Sequence, residues 1–201
     1  MSRVVSAAQV DTCRRVRIAK PHGWKLVGGQ SVAVDGICST VVRSSRDFFE
    51  VEYMPETLSK TISGDFQKGT LVNLERSLTL KNFVDGHLVQ GHVDARGRVV
   101  ARVELGRSRE LIIAAQKALM KYIAPRGSVA INGVSLTVAR AGRTSFTVAL
   151  IPYTIAHTNI GGLEVGNIVN IEVDMIARYL WALRGHGRVN RDAKKRTRKR
   201  R

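Results

Sequence analysis

Short runs of β-branched and aromatic residues, separated by turn residues, dominate the chain. Thr40-Val41-Val42, Phe48–Tyr53 and the stretch 71–74 are three of them, and each has a counterpart further along. Asp35-Gly36 and Asn132-Gly133 stand between apolar runs, where such pairs supply the positive φ angles of a tight hairpin. Gly69 and Gly166 each come just before an apolar strand, the place of a turn residue. Several short strands with regular turn signals predict an all-β fold of closed barrels rather than an open sheet. Helix is scarce: one short helix is expected within 111–122 and another over 175–183.

The counterparts are spaced regularly. Ser31-Val32-Ala33-Val34-Asp35-Gly36-Ile37-Cys38-Ser39-Thr40-Val41 recurs as Ser128-Val129-Ala130-Ile131-Asn132-Gly133-Val134-Ser135-Leu136-Thr137-Val138, an offset of 97. Without a gap, the same offset pairs Phe49 with Phe146, Pro55 with Pro152, Asn73 with Asn170 and Glu75 with Glu172. Between 31–75 and 128–172, 18 of 45 positions are identical, so a unit of roughly 90 residues has been duplicated. The expected division is a first barrel over 1–88, a second over 89–174, a C-terminal helix over 175–184 and a basic tail over 185–201. An opening strand for the second copy is read within 90–99, and Gln90 lies 38 residues before Ser128. Only 30 residues precede Ser31, so the first barrel's opening strand is expected to be shortened or rebuilt.

Composition narrows the class. Apolar residues make up 44% and aromatics 5% of the 201, ordinary for a globular protein apart from the few aromatics. No run of 18 or more apolar residues suggests a spanning helix, and the start reads as no signal peptide, so a cytoplasmic protein with no membrane partner is expected. Cys13 and Cys38 fit no metal spacing and make no disulfide framework. The net charge is +17; residues 184–201 carry ten Lys or Arg against Asp192, +9 of it, which leaves +8 for the other 183. The tail is a like-charge block, a candidate for weak, salt-dependent binding to RNA or other polyanions.

The segments SVAVDGICSTVV, MPETLSKT, LVNLERSLTL, DGHLVQGHVD, INGVSLTV, LIPYTIAHT and VNIEVDMIARYL, in this order and duplicated, resemble the riboflavin synthase family over about 28–183. The resemblance implies two homologous six-stranded Greek-key barrels, a C-terminal helix supporting a homotrimer, and a dismutation without cofactor or metal. Two molecules of 6,7-dimethyl-8-ribityllumazine would exchange a four-carbon unit, giving riboflavin and 5-amino-6-ribitylamino-pyrimidinedione. It further implies that Ser31, Cys38, Thr40, Thr57, Glu75 and His92 contribute from the first barrel. Ser135, Thr137, Ile151, Tyr153, Thr154, Glu172 and Asp174 would contribute from the second. Two other readings stay open: a relative that holds lumazine or flavin without turnover, and a structural, RNA-associated protein.

The residue types suit the ligand. Repeated Thr and Ser hydroxyls offer short donors and acceptors to ring carbonyls and nitrogens, and Glu75 and Glu172 can accept from ribityl hydroxyls. Cys38, His92, Ser135 and Asp174 are the catalytic candidates: a nucleophile or pocket wall, a proton carrier, a polar contact and a group that stabilises cationic charge. Cys38 against Ser135, and Ser77 against Asp174, are where the two pockets differ, as donor and acceptor sites should. His87 is assigned mostly to structure. Two departures stand out: family members usually open Met-Phe-Thr-Gly where this chain reads Met-Ser-Arg-Val, and Ser39 occupies a position where the second copy has Leu136.

Overall fold

The computed structural model describes residues 1–184. The first half contains strands β1 (Ser2–Val10), β2 (Cys13–Ala19), β3 (Ser31–Val34), β4 (Ile37–Ser44) and β5 (Phe48–Tyr53), then helix α1 (Pro55–Lys60) and strands β6 (Leu71–Val72) and β7 (Leu74–Arg76). The second half repeats this order with β8 (Ala95–Leu105), β9 (Ser108–Ala114), β10 (Ser128–Ile131), β11 (Val134–Ala141), β12 (Ser145–Leu150), α2 (Pro152–His157) and β13 (Ile168–Val173). Helix α3 spans 175–184.

The second half is a closed six-stranded barrel in the order β10-β11-β12-β9-β8-β13. The first runs β6-β1-β2-β5-β4-β3-β7. β6 pairs with β1 and β7 with β3, and only Asn73 separates them. They are therefore two halves of one closing strand, and the first barrel is a six-stranded ring with a break where β13 is continuous. The chain is mostly β and two-barrelled, as the repeat predicts.

Each barrel is filled by its own inward row. Along β9 buried and half-buried positions alternate, with Arg109, Leu111 and Ile113 pointing in, the period-two signature of a strand. Phe49 and Phe146, equivalent in the repeat, are both buried in their own cores. Full burial of such a side chain contributes roughly 1.5–3 kcal/mol.

The hairpin turns behave as their sequence demands. Val34 pairs with Ile37 and Ile131 with Val134, which leaves two-residue loops. Asp35 and Gly36 sit at φ 46° and 72°, and Asn132 and Gly133 at 45° and 79°, both positive as a type I′ turn requires. The two turns also meet. A Cβ on Gly36 would lie 2.5 Å from the Gly133 nitrogen, and one on Gly133 2.7 Å from the Gly36 nitrogen. Only glycine at both points lets the barrels approach this closely.

Around that contact the repeat's asparagines cross over. Asn73 Nδ2 donates to Asn132 O (3.0 Å), and Asn170 Nδ2 donates to Asp35 O (2.8 Å). Each also shares its own barrel's turn: the Asn73 amide donates to Asp35 Oδ1 (2.7 Å) and the Asn170 amide to Asn132 Oδ1 (2.8 Å). Asn159 N donates to Asn73 Oδ1 and Ile62 N to Asn170 Oδ1, both at 2.9 Å. The barrels are thus joined by a pseudo-symmetric polar seam whose buried groups have partners on the opposite side.

Three local expectations change. No helix occupies 111–122: β9 runs to Ala114, and only Met120–Tyr122 forms a 3₁₀ turn. Ile112 and Ile113 are β-branched and suit a strand, and their row completes the barrel wall. Two helices absent from the reading, α1 and α2, follow Met54 and Ile151, with Pro55 and Pro152 in their first turns. The second barrel's opening strand starts at Ala95 rather than Gln90. In the first barrel, β1 pairs with β2 along its length, and Val4 joins the closing strand as Val99 does: their amides donate to Thr70 O and Asn167 O, both at 2.9 Å. No helix among the described residues is long and apolar enough to cross a membrane.

Candidate functional site

Residues 77–89 form a strap between β7 and β8, and two cavities open beside it. One, of about 570 Å³, lies at the first barrel and is bordered by Leu26, Ser31, Glu75, Arg76 and the strap residues Ser77, Leu78 and Phe83. The other, of about 820 Å³, lies against the second barrel. Ser128, Ser135, Thr137 and Tyr153 form one wall, Phe83, Asp85, Gly86 and His87 of the strap the other, and Glu75 stands at the edge. These volumes lie within the range of small-molecule pockets.

Repeat-equivalent polar residues sit at equivalent places. Ser31 faces Thr40 across β3 and β4, and Ser128 faces Thr137 across β10 and β11. Ser128 was not singled out from the sequence, although the offset of 97 from Ser31 points straight at it. Tyr153, exposed at the rim, stacks on His157 with ring centroids 4.0 Å apart.

The two glutamates differ more than their repeat suggests. Glu172 is buried, and its carboxylate is occupied: Oε1 accepts from Gln90 N (2.8 Å) and Oε2 from Gly91 N (2.9 Å). Burial pushes its carboxyl above the ordinary range, and the two amides pull it back. Glu75 lies at the edge of both cavities, with its carboxyl raised by burial.

Gly91 carries this arrangement to the first barrel. Its carbonyl accepts the Cys38 amide at 2.8 Å, and it holds φ 80° with no room for a Cβ, which would lie 2.7 Å from Cys38 N. His92, next in sequence, is exposed, as are the side chains of Cys38 and Thr40. Cys38, Thr40, Thr57 and His92 are not in the lining of the 570 Å³ cavity that Ser31 and Glu75 share. Thr57 and Thr154 lie half-buried in α1 and α2, and Ile151 is exposed just before α2. Asp174 caps α3, its Oδ1 accepting from Ile176 N at 2.9 Å. Among the described residues no group of three or more His, Cys, Asp or Glu is placed to hold a metal.

His87 is the residue whose part changes most. Its Nδ1 lies 2.7 Å from Ser135 Oγ, at the back of the larger cavity. Burial holds its imidazole below the ordinary range, against the pull of Asp174.

Residues 1–77 and 90–174 each match the lumazine binding domain. The chain is 38% identical over 152 residues to riboflavin synthase of Actinobacillus pleuropneumoniae, covering 76% of this chain and 71% of that one. It is 41% identical over 156 residues to riboflavin synthase of Mycobacterium tuberculosis, covering 76% and 78%. The chain belongs to the riboflavin synthase family. Its fold also matches crystal structures of LumP complexed with riboflavin (TM-score 0.79, 23% identity, 86% of this chain and 95% of that one) and with 6,7-dimethyl-8-(1'-D-ribityl) lumazine (TM-score 0.77, 22% identity, 86% and 94%). The interval between the two family-domain matches, 78–89, is filled by the strap.

Proposed function

We propose that this member of the riboflavin synthase family catalyses the dismutation itself. Two 6,7-dimethyl-8-ribityllumazine molecules exchange a four-carbon unit, and the products are riboflavin and 5-amino-6-ribitylamino-pyrimidinedione. The observation that carries the reading is the pair of cavities, one at each half of the duplication, with the repeat-equivalent Ser31 and Ser128 in their linings. A reaction that joins two copies of one compound needs two like pockets. Holding both copies in alignment contributes up to roughly 7–11 kcal/mol of barrier lowering.

In this reading Ser31, Thr40, Thr57 and Glu75 contact the first lumazine, with Cys38 and His92 as its reactive groups. Thr137, Ile151, Tyr153 and Thr154 contact the second, with Ser135 and Asp174 beside the reacting carbons. Glu172 acts on the site through the Gln90-Gly91 backbone it holds. The protein is then a cytoplasmic transferase needing no cofactor. Ile176, Tyr179, Leu180 and Leu183, exposed on α3, form the apolar surface that neighbouring copies in a homotrimer would cover. Polyanion binding by the tail concerns 185–201, outside the described residues, and is tested by RNA binding at physiological salt with and without that segment.

The deciding experiment mixes the purified full chain with the lumazine and follows riboflavin by absorbance. Riboflavin formation with stoichiometric pyrimidinedione supports the reading. Saturable binding without product replaces it with a ligand-holding role, and absence of binding overturns both.

A further inference from the structure

Resting on the reading that the larger cavity takes a lumazine ring, we infer that His87 is a positioning residue that makes the Ser135 hydroxyl a hydrogen-bond donor toward that ring. Three observations lead there. His87 Nδ1 lies 2.7 Å from Ser135 Oγ. The strap is seated on the same serine, since a Cβ on Gly86 would lie 2.7 Å from Ser135 Oγ and 2.9 Å from its Cβ. His87 Nε2 is buried without a hydrogen-bond partner.

The orphan nitrogen selects the tautomer. With its proton on Nε2, His87 would bury an unpaired N–H donor, the costlier kind of unsatisfied group. With the proton on Nδ1, Nε2 is only an unused acceptor, and Nδ1–H donates to Ser135 Oγ. Ser135 then has its own O–H free, and it lines the cavity. The pyrimidinedione edge of a lumazine presents carbonyl oxygens and ring nitrogen as acceptors for that proton. A charged imidazole would bury a second, unpaired N–H at Nε2, in keeping with an imidazole held below its ordinary range despite Asp174.

The run around His87 makes the same close glycine contact at the other barrel. Gly86 packs on Ser135 and Gly91 packs on Cys38, the residue equivalent to Ser135 in the duplication. A Gly-His pair follows each contact: Gly86-His87 on the second barrel and Gly91-His92 on the first. In both, the missing Cβ lets the backbone touch the repeat-equivalent residue, and on the second barrel the imidazole that follows reaches it.

Two measurements test this. Imidazole ¹⁵N NMR of the ligand-free full chain at neutral pH is expected to show His87 protonated at Nδ1, with that preference lost in Ser135→Ala; protonation at Nε2 overturns the inference whatever the ligand. Lumazine titrations on His87→Ala, Ser135→Ala and the double variant are expected to show about tenfold weaker binding at one of two sites, with no further loss in the double. His87→Asn, whose amide N–H reaches the Nδ1 position, restores affinity, and His87→Gln does not. Independent, additive losses, or unchanged affinity in His87→Ala, sink the positioning role alone. A wild-type chain that binds no lumazine sinks the functional reading and the ring-donor role with it.

Discussion

Ser39 Oγ lies 3.0 Å from Tyr53 OH in the core of the first barrel, where the second barrel has Leu136 and Leu150. Ser39 Oγ also reaches Ile37 O at 2.8 Å, so the buried phenol and hydroxyl satisfy each other and the backbone. The serine that departs from its repeat partner is thus explained by a second departure fourteen residues on. Ser39→Leu strands the phenol and crowds the core, and Tyr53→Leu leaves the Ser39 hydroxyl with Ile37 O alone and opens space. Each single change is expected to cost about 1–4 kcal/mol in denaturant unfolding, and the double at least about 1 kcal/mol less than their sum. Additive costs would show that the two positions are independent.

The seam between barrels is expected to be the most sensitive part of the fold. Asn170→Ala removes the acceptor of the Ile62 amide and the donor to Asp35 O, leaving two buried backbone groups unpaired. Thermal or urea unfolding should report a loss of about 2–4 kcal/mol. Gly133→Ala combines a positive φ with a Cβ 2.7 Å from the Gly36 nitrogen. It should cost at least about 2 kcal/mol. An equally placed change in an exposed turn, Gly106→Ala, meets nothing within 4 Å and carries only the backbone part of that cost.

The duplication made the architecture legible, because two copies of one hairpin signal at Asp35-Gly36 and Asn132-Gly133 fix strand order twice. What escaped was whatever depends on a partner distant in the chain. Asn73 and Asn170 stand out in the sequence only as a pair related by the repeat, yet each holds the other barrel. A polar residue that recurs in a duplication can be kept by its own copy as well as by a ligand. α1 and α2 are six residues each, too short for a helical period, and only Pro55 and Pro152 marked their starts. His87 looked structural because nothing in its neighbours names Ser135, 48 positions away. Leu111–Ala114 resembled a helix because a fully packed strand and a helix segment share the same apolar run.

Glu75 and Glu172 should separate cleanly. Glu172→Gln replaces one of two accepting oxygens with an N–H facing a backbone amide. A loss of about 1–3 kcal/mol of stability is expected, with lumazine binding weakened as the 90–92 segment shifts. Glu75→Gln, at the cavity edge, should leave the unfolding midpoint within experimental scatter and act on lumazine affinity. Equal stability losses in both variants would contradict the division.

Asp35 makes the seam pH-dependent. It is buried where its repeat partner is Asn132, and burial pushes its carboxyl up to about 7, against hydrogen bonds from the Asn73 amide and the Asn159 side chain. A carboxyl raised on folding favours the folded state fully below its ordinary value of 3.8, and that contribution is lost as pH climbs through about 7. Across this window the wild-type chain should lose about 4 kcal/mol relative to Asp35→Asn, roughly 1.4 kcal/mol per pH unit. Asn has the same shape, keeps an acceptor for the Asn73 amide and does not titrate, so every other titrating group cancels in the difference. Urea unfolding of both chains at about pH 5 and about pH 8 samples roughly two of these pH units, about 3 kcal/mol of the difference: the variant should gain stability relative to the wild type as pH rises. Parallel pH profiles would mean that the Asp35 proton is not linked to folding.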